Sequence, residues 1–162
     1  MSALATRIRP AEPGDVAQIV AFIRDLAQYE RLGAQCHPDA DALAEHLFGP
    51  APSAEVLLAE VGDEPAGFAL FFPTYSTFRT QPGIWLEDLF VVPEQRGQGV
   101  GRGLLGAVAQ RAVDRGCGRV EWAVLDWNAP AIGFYTRLGA RLLEDWTICR
   151  VEGTQIAAMS RS

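Results

Sequence analysis

Nine residues, 84–92 (IWLEDLFVV), form a nearly continuous apolar run, and together with the glycine-rich segment after them they restrict the folds open to this chain. A short run of this kind reads as a central strand covered on both faces. It leads into Val91-Val92-Pro93-Glu94-Gln95-Arg96-Gly97-Gln98-Gly99-Val100-Gly101-Arg102, a loop with three alternating glycines. Beyond the loop, Val100, Leu104, Leu105, Val108, Ala112 and Val113 trace one face of a helix that stops at Gly116. Glycine has no Cβ and tolerates positive φ, so successive backbone N–H groups can converge on one point. The helix start adds its own free N–H groups and a partial positive charge. A strand, a glycine loop carrying Arg96 and Arg102, and a helix therefore make a candidate site for a phosphate or pyrophosphate.

The flanking sequence alternates between the same two periods. Residues 6–9 suggest a short strand stopped by Pro10. After Pro13-Gly14-Asp15, the residues Val16, Ile19, Val20, Ile23 and Leu26 recur at helical spacing to about Tyr29. Residues 39–48 read as a shorter helix ended by Gly49-Pro50. Residues 55–61 and 66–72, around Gly62-Asp63-Glu64-Pro65, read as a hairpin. Residues 119–125 are β-rich, 129–138 form a short helix, and 145–151 with 155–159 read as a closing pair of strands. The order β-α-α-β-β-β-α-β-α-β-β predicts one mixed α/β layer structure over residues 1–162, with its core in 6–160.

Charge narrows the ligand. Fourteen basic against 20 acidic residues leave a formal charge of −6 with neutral histidines. Without a sustained Lys/Arg run this is a poor nucleic-acid binder and better suited to small cations. Cys36, Cys117 and Cys149 form no CxxC pair, and His37 and His46 complete no zinc spacing, so neither a metal nor a disulfide framework is expected. MSALATRIRP lacks a hydrophobic signal stretch, and no apolar run is long enough for a bilayer. A cytoplasmic protein with no membrane partner is expected.

Two phosphate motifs fail. A Walker loop needs Gly-Lys-Ser/Thr, and the chain has Gly101-Arg102-Gly103. A GxGxxG is present from Gly101 to Gly106, but eight residues separate Val92 from Gly101, and Gly103 and Gly106 fall inside the helix. The remaining spacing is Arg96-x-x-Gly99-x-Gly101 after Val91-Val92-Pro93. In this the chain resembles the GNAT superfamily of acyl-CoA-dependent N-acetyltransferases. The resemblance extends to Asn128-Ala129-Pro130-Ala131 and to Gly133-Phe134-Tyr135-Thr136-Arg137-Leu138-Gly139-Ala140. Ile8-Arg9-Pro10-Ala11, Leu26-Ala27-Gln28-Tyr29-Glu30, Leu86-Glu87-Asp88-Leu89-Phe90-Val91 and Asp126-Trp127-Asn128-Ala129-Pro130 look like the diamine (spermidine/spermine) and thialysine N-acetyltransferases within it. The C-terminal stretch and the loop at 75–83 depart from that pattern.

The resemblance implies an α/β (α+β) domain with a mixed, mostly antiparallel twisted sheet of six to seven strands and about four helices. It implies acetyl-CoA as cosubstrate, a small-molecule amine as acceptor and a homodimer. The coenzyme would be held by Leu89, Phe90 and Val91, by Arg96, Gly97, Gln98, Gly99, Val100, Gly101 and Arg102, and by Asn128, Ala129, Pro130, Ala131 and Tyr135. The amine would meet Tyr29, Glu30, Glu87, Asp88, Glu121, Trp122 and Ala123. Tyr135 takes the place of the family's proton donor to the coenzyme thiolate.

The residues themselves allow several roles. Aliphatic amines are ammonium ions at neutral pH, so a base must remove a proton. Glu87 and Asp88 interrupt an apolar strand, where burial would raise a carboxylate's pKa and two charges would attract a cation. Glu87 is then either the base or the amine's anchor. Asn128 is either a coenzyme contact or a helix cap. Cys117 follows a helix C-terminus, whose dipole opposes a thiolate, which favours direct transfer in a ternary complex. Two rivals remain: a GNAT enzyme for another amine (an amino acid, an amino-sugar drug or a protein N-terminus), and a coenzyme A sensor without turnover.

Overall fold

Hairpins assemble most of the sheet. In a computed structural model of the chain, which describes residues 5–161, strand β2 (Glu55–Val61) turns through Gly62, at φ 64°, into β3 (Glu64–Ser76). β1 (Thr6–Pro10) pairs antiparallel with β2, from Thr6 opposite Val61 to Pro10 opposite Leu57. β3 pairs antiparallel with β4 (Gln81–Val91), from Gly67 opposite Val91 to Ser76 opposite Gln81. β5 (Val120–Glu121) lies parallel to β4, so its connection must cross over the sheet, and α3 (Val100–Asp114) makes that crossover. The strand order is β1-β2-β3-β4-β5.

Each face of the sheet buries a different set of helices. On one face Val100, Leu104, Val108 and Ala112 of α3 pack against Leu57, Ala59, Phe71, Ile84 and Leu86. On the other, α1 (Val16–Tyr29) and α2 (Ala40–Phe48) bring Ile19, Phe22 and Leu47 onto Val56, Leu58, Phe68 and Phe90. Phe22 stacks on Phe68 with centroids 5.7 Å apart and tilts against Phe90 at 5.9 Å. Burying one such ring contributes roughly 1.5–3 kcal/mol, so this aromatic trio fixes α1 over β3 and the last residues of β4.

The chain separates into two compact units, one ending at Ala123 and one running from Val124. The whole sheet belongs to the first. The second contains α4 (Ala129–Arg137) and α5 (Thr154–Met159). Several expectations from the sequence are corrected at this level. Among the described residues the sheet has five strands, where about six to seven were expected, and five α-helices stand beside the expected number of about four. Residues 145–151 form no strand, and 155–159 lie in α5. The β-rich run at 119–125 keeps only Val120–Glu121.

Pairing explains both differences. Trp146, Ile148, Val151, Ile156 and Met159 are all exposed, and β-forming side chains form a strand only where they pair and pack. β5 ends after the pairs Ile84–Val120 and Trp85–Glu121, just before β4 bulges at Glu87. A bulge bends its strand and interrupts regular pairing.

Candidate active site

The glycine loop begins with a turn at Pro93–Gln95, where the Arg96 N–H donates to the Pro93 carbonyl at 3.2 Å. Gly97 and Gly99 come next, at φ 74° and 88°, and α3 starts at Val100. An L side chain at such φ costs roughly 1–2 kcal/mol, which is why glycine stands at both. The first turn of this 15-residue helix has no side-chain cap and no acidic residue. Its free N–H groups point outward with the positive end of the helix dipole behind them. A Cβ at either glycine would meet nothing within 4 Å, so the mouth of the cradle is open. The donor set fits a diphosphate.

The two arginines of this motif part company. Arg102 is exposed on the first turn of α3. Arg96 folds back: its Nε donates to the Val91 carbonyl at 2.9 Å, and its guanidinium lies 4.8 Å from the Tyr29 ring and 5.7 Å from that of Phe90. Its side chain ties the loop to the end of α1 and does not hang over the N–H cradle.

β4 changes character at Glu87. Asp88 opposes Leu70 and Leu86 opposes Phe71, which leaves Glu87 as the extra residue of a bulge. The bulge reverses the parity of the strand. Ile84 and Leu86 face the α3 core before it, whereas Leu89 and Val91 face that core after it and Phe90 faces α1. Glu87 and Asp88 thereby come to the α1 side together, which simple alternation forbids. From Glu87 to Val91 the second edge of β4 has no strand partner among the described residues, so its backbone groups are available to an extended ligand.

Beside Asp88 lies an open crevice of about 210 Å³, lined by Ile23, Leu26 and Ala27 of α1, by Glu30, Leu32, Gln35 and Cys36 after it, and by Asp88 itself. None of its lining residues is a cation. Burial, reinforced by the charges of Glu87 and Glu30, pushes the Asp88 carboxyl up to about 7. Burial, then Glu87, raises Glu30 as well. Glu87 itself is exposed, and its Oε2 accepts a hydrogen bond from the Trp85 indole N–H at 2.7 Å. Three carboxylates facing one another with no cation among them form a site that a bound ammonium would relieve.

Other expected residues are placed differently. Glu121 is paired with Arg119 at 2.6 Å, and Trp122 packs toward the α3 core, so neither lines the crevice. Ala123 is exposed. In the second unit, Asn128 is buried and its Oδ1 accepts from the Ala131 N–H at 3.3 Å, which is the cap role. Pro130 occupies the first turn of α4, and Tyr135 is half-buried with its ring 5.3 Å from that of Phe134. Trp85, Gln35 and Cys36 were not anticipated. Only Trp85 had a signal, since i and i+2 on a strand share a face.

Among the described residues no helix is long and apolar enough to cross a membrane, and no three His, Cys, Asp or Glu side chains gather as metal ligands. A profile of the acetyltransferase (GNAT) family matches residues 19–140. A thialysine N-epsilon-acetyltransferase of Bos taurus is 40% identical over 157 residues, covering 90% of this chain and 92% of its own. An L-ornithine N5-acetyltransferase of Arabidopsis thaliana is 33% identical, covering 96% and 88%. An integron cassette protein from the mobile metagenome of V. cholerae shares the fold, with a TM-score of 0.81 at 24% identity over 98% of this chain and 99% of its own.

Proposed function

We propose, from the premise that this chain belongs to the GNAT family and is an N-acetyltransferase, that it acetylates a primary amine of a small diamine or lysine-like compound, with acetyl-CoA as donor. The observation that carries the substrate class is the crevice between α1 and β4, where Glu30 and Asp88 face a space lined by no cation. Thialysine and ornithine, named in two relatives, are short aliphatic compounds with a terminal amine, which is the kind of group such a crevice suits.

Acetyl-CoA supplies the activated acyl group. In this reading the N–H groups from Gly97 to Arg102 hold its diphosphate, and the open edge of β4 at Leu89–Val91 takes its amide-bearing arm. Backbone donors there would also stabilise negative charge growing on the thioester oxygen. Tyr135 donates the proton that the departing thiolate needs, since a phenol is protonated throughout the neutral range. Tyr29, beneath Arg96 and next to Glu30, borders the amine. Residues 1–162 act as one catalytic domain, in keeping with a family match that runs through both compact units. The exposed Leu142, Leu143, Trp146 and Ile148 support a homodimer.

The test is thiol release from acetyl-CoA across a panel of diamines, lysine-like amino acids, aminoglycosides and peptides. Release with the first two groups, and a product heavier by one acetyl group, is expected. Release only with aminoglycosides or peptide N-termini would move the chain to another substrate class. Coenzyme binding without release on any amine would make it a sensor.

A further inference from the structure

We propose that Asp88, and not Glu87, takes the ammonium proton, and that Glu87, held by Trp85, is the fixed anionic anchor beside it. This rests on the acetyl-transfer reading above and divides the labour within the same site.

The bulge sets the two carboxylates side by side, yet their surroundings differ. Glu87 is exposed and already accepts the Trp85 indole N–H at 2.7 Å, a bond that fixes the direction of its carboxylate. Asp88 is half-buried against Ile23, Leu26 and Ala27. Among the described residues, nothing donates a hydrogen bond to it. The titratable groups facing it are Glu87 from its own strand and Glu30 and Cys36 from the segment after α1. The cation flanking this face, Arg96, is committed to the Val91 carbonyl and to the Tyr29 and Phe90 rings. Burial, with like charges beside it and no donor, makes the Asp88 carboxylate hold a proton more readily than an ordinary one. Its affinity near neutrality supports the assignment, because a base works best when its pKa lies near the working pH.

Atoms and charges balance through the step. One proton passes from R–NH₃⁺ to an Asp88 carboxylate oxygen, leaving a neutral amine. The amine's electron pair forms the C–N bond to the thioester carbon, and the C–S bond breaks. The thiolate leaves with a proton from Tyr135, and the nitrogen's second proton restores the phenol through solvent. Asp88 then returns its proton to water, so each turnover releases one. Trp85 is a positioning residue, acting only through Glu87.

Asp88→Asn and Glu87→Gln test this with two acceptors of similar length, an aliphatic diamine and a hydrazide that is already neutral at pH 7. In the wild type, kcat/KM for the diamine should fall on the acid side of a midpoint near 7. Asp88→Asn should remove that limb and lower kcat/KM for the diamine by about 10²-fold or more, while the hydrazide loses less than about tenfold. Glu87→Gln should keep the limb and act mainly by raising KM. A limb that survives in Asp88→Asn, or a hydrazide that loses as much as the diamine, overturns the assignment. So does a limb that vanishes in Glu87→Gln instead. A wild type that turns over no amine defeats the acetyl-transfer reading and this assignment with it, whereas an active wild type with the wrong variant pattern defeats the assignment alone. Thermal melts of both variants establish that each remains folded.

Discussion

The loop at Gly97–Val100 and the bulge at Glu87 stand only ten residues apart on one stretch of chain, yet they are built from opposite materials. The loop presents backbone N–H groups, set by two glycines at positive φ and an uncapped helix start. The bulge presents carboxylates, set by a register shift against β3 and by the lid of α1. One is electropositive without needing its arginines. The other is electronegative because Glu30, Glu87 and Asp88 crowd a crevice lined by no cation among the described residues. The contrast shows how one strand–loop–helix segment can face an anionic coenzyme and a cationic acceptor at once.

Tyr135→Phe gives the largest expected effect, since it removes the proton proposed for the departing thiolate. It should lower kcat by about 10²-fold or more and leave coenzyme affinity nearly unchanged in equilibrium titration. Equal losses in both would show that the phenol binds rather than donates.

Gly99→Val should break the electropositive side alone. Forcing a side chain onto φ 88° costs roughly 1–2 kcal/mol, so coenzyme A affinity by calorimetry should weaken about tenfold or more. Amine KM at saturating coenzyme should hold. A variant that binds coenzyme normally would remove the loop from the site.

Asp88→Asn breaks the electronegative side and should stabilise the free protein. A carboxyl raised in the folded state penalises folding fully above its folded pKa of about 7, and the penalty fades as the pH falls toward the ordinary 3.8. Removing it should raise Tm by several degrees at pH 8 and by less at pH 5, from a penalty of up to about 4 kcal/mol. A gain that does not depend on pH would mean that Asp88 is not buried as an anion.

Arg96→Ala sharpens the comparison with the smallest effect. Stacking over the exposed Tyr29 ring contributes about 0.5–1 kcal/mol, so stability and amine KM should shift modestly. Coenzyme affinity should shift less, because the guanidinium points at Tyr29 and Val91 rather than at the cradle. The reverse order would return Arg96 to the anion site.

The two sites differed as much in how they could be read. Gly97, Gly99 and the helix start lie within a few residues of one another, so local chain chemistry announced the cradle, and hydropathy periods announced β1 through α3. The amine side depends on distant partners. Adjacent residues on a strand point to opposite faces, and only the pairing of Leu70 with Asp88 and of Phe71 with Leu86 turns Glu87 and Asp88 the same way. The loop spacing makes Arg96 a candidate anion ligand, and its stacking over Tyr29, far earlier in the chain, is a contact that spacing does not show. Residues 145–151 carry strand-forming side chains, yet they form no strand, and Trp146, Ile148 and Val151 stay exposed.

A crystal structure with coenzyme A and a short diamine bound together is the most direct measurement. It should show the diphosphate on the N–H groups of Gly97–Arg102 and an ammonium among Glu30, Glu87 and Asp88, within the ion-pair distance of about 4 Å from a carboxylate oxygen. A diphosphate bound away from that loop, or a diamine bound outside the crevice between α1 and β4, would contradict it.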